Sequence, residues 1–361
     1  LGDDPFGKRI TTVLKDNKSN FPNSVQLTID YHIQKIVEKV MDENKIKGAV
    51  IVAEVESGDI VAMASRPNFD QDNIDAYLYK DNMELYNKAI QVSYPPGSLF
   101  KIVVLLSALE SEPDIVNQIF YCKGYEKLNE VIIKCNVEEG HGYISLRDAF
   151  SKSCNSTFIQ IGQKIGSKKI IDMAYRLGFG ESVNIGLLEE TVGNLPSGED
   201  LLGPSIGNIS IGQGKIEVTP LQVTNMMMIL ANEGVKKDLS IIKGIVMEDG
   251  KMVKEFRKNN NERIITKENA VIVNNLMRDV VKMGTGRSMD LDDVGGACGK
   301  TGSAQAVLNG KKTIHGWFSG YFPEESPKYV ITVLAEEEYS GSKSAIPVFE
   351  KIIKEIWIKN R

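Results

Sequence analysis

Strand-like runs lie near both ends of this chain with helical sequence between them, an order that a single sheet built from distant segments accommodates. Residues 48–55 and 60–64 are β-rich runs around the turn Glu56-Ser57-Gly58-Asp59. Strand-like sequence returns only at 294–306, 313–322 and 329–335. Residues 30–41 carry Ile33, Ile36, Val37 and Val40 at helical spacing, and an amphipathic helix over 346–359 closes the chain. The middle, 98–235, reads as mostly helical with long loops. No internal repeat or low-complexity tract interrupts this plan.

The chain has 361 residues, 42% apolar and 25% charged, the balance of a soluble globular fold of one large domain or two ordinary ones. A formal net charge of −5 with no long block of either sign argues against nucleic acid or an anionic membrane surface as partner. No apolar run approaches the roughly 18 residues that read as a membrane span. The polar opening Leu1-Gly2-Asp3-Asp4-Pro5 is no signal peptide. Residues 1–24 read as a linker or the end of a preceding domain, and 25–361 as the main domain, cut from a longer parent.

Chemistry enters at Tyr94-Pro95-Pro96-Gly97-Ser98-Leu99-Phe100-Lys101, which leads into the apolar stretch 102–109. A helix starting near Ser98 puts Ser98 and Lys101 on one face. A serine hydroxyl needs a base, and a lysine whose pKa is lowered among apolar neighbours can be one. Alone, the pair also fits an ordinary helix start with a solvated lysine. Two later runs change the balance: Ser153-Cys154-Asn155, after the helical reading 145–152, and Lys300-Thr301-Gly302-Ser303 in a strand-like run. Acyl transfer needs a nucleophile, a base, an oxyanion cradle and a clamp on the substrate. Ser98 and Lys101 supply the first two. Ser153 can pass a proton toward a leaving amine, and Asn155 can hold a substrate amide. Lys300, Thr301 and Ser303 offer a positive charge and two hydroxyls to a carboxylate, and Gly302 leaves room for a substrate beside the strand. Gly299-Lys300-Thr301 is not a phosphate loop, because the motif needs glycine where Val294 stands.

The ordered trio Ser-x-x-Lys, Ser-x-Asn and Lys-Thr-Gly resembles the signature of penicillin-binding proteins and serine β-lactamases. With Leu27-Thr28-Ile29-Asp30, Ala64-Ser65-Arg66-Pro67, Ser210-Ile211-Gly212-Gln213-Gly214 and His315-Gly316-Trp317-Phe318, residues 25–361 resemble the transpeptidase domain of class B penicillin-binding proteins, elongation-type (penicillin-binding protein 2-like) or sporulation-type. The resemblance implies an α/β (α+β) fold: an antiparallel sheet flanked by helices, with an all-helical half. It implies a D,D-transpeptidase in which Ser98 attacks the D-Ala-D-Ala bond of a peptidoglycan stem, and an amine of a second stem then takes the acyl group. The backbone N–H groups of Ser98 and Ser303 would form the oxyanion hole, and β-lactams would acylate Ser98. Many relatives carry Thr where this chain has Ser303. It further implies a glycosyltransferase partner and a place on the extracytoplasmic face of the bacterial membrane, held by an N-terminal helix lying before residue 1. A β-lactam hydrolase or D,D-carboxypeptidase, and a non-catalytic β-lactam-sensing domain, are the rival readings.

Three of the four cysteines join His141 in Cys122-x12-Cys135-x5-His141-x12-Cys154. Three thiolates and an imidazole suit a closed, structural, tetrahedral zinc site, and some elongation-type relatives resemble the pattern around Gly140-His141-Gly142. A Cys122–Cys135 disulfide with Cys154 free, or three free thiols, fit the same residues. Zinc at Cys154 would brace the loop carrying Ser153 and Asn155. Cys298 reads as a small core residue, His32 as surface, and His315 as a packing or hydrogen-bonding neighbour of the site.

Overall fold

Five strands from the two ends of the chain form one antiparallel sheet in the computed structural model, which describes residues 24–80, 83–256, 261–308, 311–338 and 340–359. The first part of the chain gives β1 (Ser24–Leu27), α1 (Tyr31–Glu43), β2 (Gly48–Glu54), β3 (Ile60–Arg66) and α2 (Lys101–Ser111). Four short strands follow: β4 (Ile119–Cys122), β5 (Tyr125–Leu128), β6 (Val131–Lys134) and β7 (Gly142–Ser145). Next come α3 (Leu146–Ser151), α4 (Asn155–Ile165), α5 (Ser167–Arg176), α6 (Ser205–Ser210) and α7 (Pro220–Ala231). The small strands β8 (Val235–Lys237), β9 (Ile242–Val246), β10 (Met252–Glu255) and β11 (Asn261–Arg263) precede α8 (Lys267–Lys282). The chain then closes the main sheet with β12 (Cys298–Leu308), β13 (Lys311–Phe322) and β14 (Tyr329–Glu338), and ends in α9 (Gly341–Lys359).

The sheet order is β12-β13-β14-β2-β3, so β12, which carries Lys300 to Ser303, is an edge strand. From Ala49 to Ala53, β2 is an unbroken apolar run because both of its faces are covered. Ala49, Ile51 and Ala53 enter one core, and Val50 and Val52 the other. The second core lies beneath α1 and α9, where Ile33, Val37, Phe349 and Ile353 pack against the sheet. Asp30 starts α1 by accepting the His32 and Ile33 amides. The first core holds the helical half around α2, whose residues Lys101 to Leu109 are all buried. A helix apolar on every side belongs in the middle of a fold, and α2 is there.

The antiparallel sheet flanked by helices stands as expected, with differences of detail. Strand β12 begins at Cys298 rather than 294, because Gly295 and Gly296 take positive φ (+81° and +70°) and break extension. Helix α9 begins at Gly341, before its internal Pro347, rather than at 346. The helical half also carries two small two-stranded sheets, β4 with β7 and, between them in the chain, the hairpin β5–β6, where long loops were expected. Ile119 and Tyr121 are exposed while Phe120 and Cys122 are buried, the two-residue alternation of a half-buried strand. The segment read as a linker, 1–24, lies outside the described residues except for Ser24, which opens β1. Cys298 is buried and His32 exposed, as read. Among the described residues no helix is long and apolar enough to cross a membrane.

Candidate active site

Ser98 stands half-buried in a single 3₁₀ turn, Gly97–Phe100, that runs straight into α2. The turn is held from three sides. Tyr94 exchanges backbone bonds with Val218 (2.9 and 2.8 Å), the Trp317 indole donates to the Pro95 carbonyl (3.1 Å), and the Gly97 amide donates to the Gly212 carbonyl (2.9 Å). Gly97 has φ +54°, and a Cβ there would lie 2.6 Å from the Ser303 carbonyl oxygen. The turn bearing Ser98 therefore sits directly against the edge strand β12. Gly302 serves the same contact: an added Cβ would meet the Pro96 carbonyl at 2.8 Å. This corrects the expectation that Gly302 leaves room for a substrate, since the Ser98 turn itself fills that space.

Lys101, one turn further on, is fully buried, and its Nζ donates to Ser153 O (2.7 Å), Ser153 Oγ (3.1 Å) and Asn155 Oδ1 (2.8 Å). The first two motifs thus meet through this lysine. The loop between α3 and α4 presents both partners. Ser153 takes a left-handed backbone (φ +57°), and Cys154 caps α4, its Sγ accepting the Thr157 amide at 3.5 Å. A non-glycine residue in that conformation stores roughly 1 kcal/mol or more, which the surrounding contacts must offset. Asn155 Nδ2 in turn donates to the Lys134 carbonyl at 3.1 Å, tying the loop to β6.

Lys300 is also fully buried, its Nζ 5.6 Å from the Phe150 ring centroid and 3.3 Å from the Thr301 carbonyl. Burial pushes Lys101 down to about 7, against a weaker upward pull from the Cys154 and Cys135 thiols. Burial, then the nearby charge of Lys101, pushes Lys300 well below the ordinary lysine range. Two buried lysines side by side make a site short of an anion, where a substrate carboxylate would be stabilised. Thr301 Oγ1 shares a 2.7 Å hydrogen bond with Thr285 Oγ1, and the exposed Ser303 hydroxyl accepts the Gly341 amide at 3.1 Å. Sequence reading missed Thr285, because nothing around Gly284-Thr285-Gly286 marks it as a neighbour of β12. His315 is buried, as a neighbour of the site, with its ring edge against Tyr94.

Behind the Ser153 loop, the Cys122, Cys135 and Cys154 sulfurs and a His141 ring nitrogen lie within 4.8 Å of one another. Cys135 Sγ is 3.8 Å from Cys154 Sγ and 3.7 Å from His141 Nδ1. All four cysteines are free, so Cys122 and Cys135 are not joined in a disulfide. The Cys154 thiol beside it and three backbone amides hold the Cys135 thiol well below its usual range. The Cys135 interaction and burial push Cys154 up.

A serine at a helix start, one turn from a buried lysine and set against an edge strand that carries a second buried lysine, defines the architecture of the penicillin-recognising serine proteins. The chain belongs to the penicillin-binding protein transpeptidase domain family, whose description matches residues 48–354. Stage V sporulation protein D of Bacillus subtilis is 29% identical over 92% of this chain and 53% of its own length. Peptidoglycan D,D-transpeptidase MrdA of Haemophilus influenzae is 29% identical over 96% of this chain and 58% of its own. This chain therefore spans a little over half the length of these curated relatives. The crystal structure of Pseudomonas aeruginosa PBP2 in complex with WCK 5153 superposes with a TM-score of 0.82 at 26% identity, over 92% of this chain and 78% of that one. The resemblance to class B members read from the motifs agrees with these relatives.

Proposed function

We propose that this domain is a peptidoglycan D,D-transpeptidase acting through a Ser98 acyl-enzyme. The observation that carries the reading is the buried Lys101 amine, which joins the Ser98 turn to Ser153 and Asn155 within 3.1 Å and whose charge, added to burial, helps hold Lys300 well below the ordinary lysine range. Neutral Lys101 takes the Ser98 proton as the hydroxyl attacks the penultimate D-Ala carbonyl. The Ser98 and Ser303 amides receive the oxyanion. Ser153 relays the proton to the leaving D-alanine amine, Asn155 Nδ2 orients the substrate amide, and Lys300, Thr301 and Ser303 hold the terminal carboxylate. The carboxylate restores the charge of Lys300 as it binds. An amine of a second stem then attacks the ester, and Ser98 is regenerated. Intact-protein mass spectrometry with benzylpenicillin tests this. A persistent adduct mapped to Ser98 and absent from Ser98→Ala supports it. Rapid turnover instead would favour a hydrolase, and an adduct on the alanine variant would sink the assignment.

The cysteine cluster fits zinc. A tetrahedral site with ordinary bond lengths separates two thiolates by about 3.8 Å, and a thiolate from an imidazole nitrogen by about 3.6 Å. The observed separations are 3.8 and 3.7 Å. Cys122, Cys135, His141 and Cys154 would hold the ion, and when bound it supplies a fixed tie between β4, the β6–β7 loops and the Ser153 loop. The acyl transfer itself needs no cofactor. The relatives' peptidoglycan names support an extracytoplasmic setting with stem peptides and β-lactams as ligands. A glycosyltransferase partner and an N-terminal membrane anchor complete the proposal, with residues 25–361 as the transpeptidase domain.

A further inference from the structure

Beyond Ser303, strand β12 continues along a cleft of about 1050 Å³. Gln305 and Ala306 line it, and so do Gln213 and Gly214, just past the Gly212 that holds the Ser98 turn. At about 3.4 Å per residue, Gln305 and Ala306 lie roughly 7 and 10 Å along the strand from Ser303. A donor stem with its terminal carboxylate at Lys300 and its reacting carbonyl at Ser98 extends in this direction. The amine that accepts the acyl group must approach from the opposite side, which the departing D-alanine vacates.

The cleft has its own chemistry. Four carboxylates line it, from Glu84, Glu217, Glu336 and Glu337, against two lysines already engaged. Lys88 is paired with Glu336, whose other oxygen accepts the Tyr94 hydroxyl at 2.5 Å. Lys47 is paired with Glu337 at 3.3 Å. Exposed Glu217 accepts the Ser93 hydroxyl at 3.1 Å and forms no ion pair with a described residue. The Tyr94–Val218 backbone pairing fixes its position relative to the Ser98 turn. A second observation also points to a ligand. His315 lines the cleft, is only 4% exposed, and spends Nδ1 on the Glu337 amide (3.4 Å). The neutral ring then carries its proton on Nε2, which has no partner among the described residues. An imidazole N–H on a nearly buried ring that lines a cleft of peptide size, without a protein acceptor, is an open donor for a substrate carbonyl.

Resting on the transpeptidase reading, we propose that this cleft is the donor-stem subsite, with Glu217 receiving the free ω-ammonium of the stem's diamino-acid residue and His315 Nε2 donating to a carbonyl of the same segment. Glu217 is a specificity residue rather than a catalytic one. The cleft therefore selects donors whose ω-amine is not yet acylated, that is, stems not already used as acceptors.

The test uses two stem-peptide thioesters, identical except for a free or an N-acetylated ω-amine, with thiol release followed on the intact 361-residue protein. The wild type should prefer the free amine in kcat/KM by about fivefold, the size of a partly exposed ion pair. Raising salt to about 0.5 M should shrink that preference. In Glu217→Gln the ratio should fall below about twofold, and a general loss of activity cancels because the ratio is taken within one protein. Should the variant not fold, the wild-type ratio and its salt dependence decide alone. Equal use of both thioesters by the wild type, or an unchanged ratio in Glu217→Gln, overturns the subsite. Benzylpenicillin acylation of the wild type separates the two levels: without it the transpeptidase reading fails, and with it only the subsite does.

Discussion

Replacing Lys101 by methionine removes one buried amine while nearly conserving volume, and it should stabilise the protein selectively as pH falls. Burial holds Lys101 near 7 in the fold, whereas an unfolded lysine titrates near its ordinary 10.5. Between those values the unfolded state binds more protons than the native state, so wild-type stability rises with pH. The cost of Lys101 to the fold is about 1.4 kcal/mol at pH ~9.5 and about 4 kcal/mol at pH ~7, and is constant below that. Lys101→Met also leaves the Ser153 carbonyl and Asn155 Oδ1 short of a donor, at about 1–3 kcal/mol each. That loss is nearly the same at both pH values and cancels in the comparison. Urea denaturation of both proteins should therefore show the variant gaining about 3 kcal/mol relative to wild type from pH ~9.5 to pH ~7. Its benzylpenicillin acylation should be slower by about 100-fold or more, the usual loss on removing a general base. A relative gain below about 1 kcal/mol would mean that Lys101 titrates like a solvated lysine, and the argument that burial makes it a base would fail.

Other consequences are smaller in scope. Acylation of the wild type should rise with pH through about 7, as Lys101 loses its proton; stopped-flow acylation rates that stay flat from pH 6 to 8.5 would contradict a lysine base. Gly97→Ala forces a side chain onto a residue at φ +54° and 2.6 Å from the Ser303 carbonyl. It should cost about 1–2 kcal/mol from the backbone alone and slow acylation at least tenfold, while circular dichroism stays native. Purified without chelator, the protein should carry about one equivalent of zinc, with Cys135→Ser losing most of it. The same variant should show a lower melting temperature and slower acylation, because the Ser153 loop loses its tie. Full acylation rates in metal-free protein would remove the loop-bracing role.

The sheet was legible because Ala49 to Ala53 of β2 are apolar in succession, as a strand covered on both faces must be, and because β12 to β14 follow one another as close antiparallel neighbours. The serine, lysine and asparagine positions were legible because their chemistry depends on residue type and short spacing. The two small sheets at 119–145 were not, since strands of four residues give too short a run for a period to emerge from the glycine and cysteine punctuation around them. Gly302 was singled out for the wrong reason: the need for glycine comes from the Pro96 carbonyl, more than two hundred residues away in sequence. Thr285 and the depression of Lys300 by Lys101 share that origin. Both arise from packing the Ser98 turn and α8 against β12, a long-range contact that local sequence does not encode. The cysteine spacing left zinc, disulfide and free thiols open; the free cysteines remove the disulfide, and the gathering of all four candidate side chains within 4.8 Å, which no local pattern encodes, is what the zinc proposal rests on.

The central claim is acyl transfer to an amine rather than to water, and product partition measures it directly. Supplied with a pentapeptide stem donor and an amine-bearing acceptor stem, the wild-type protein should release D-alanine in step with cross-linked dimer, with Ser98→Ala producing neither. D-alanine released together with free tetrapeptide and no dimer, at saturating acceptor, would contradict the transpeptidase account and leave a carboxypeptidase in its place.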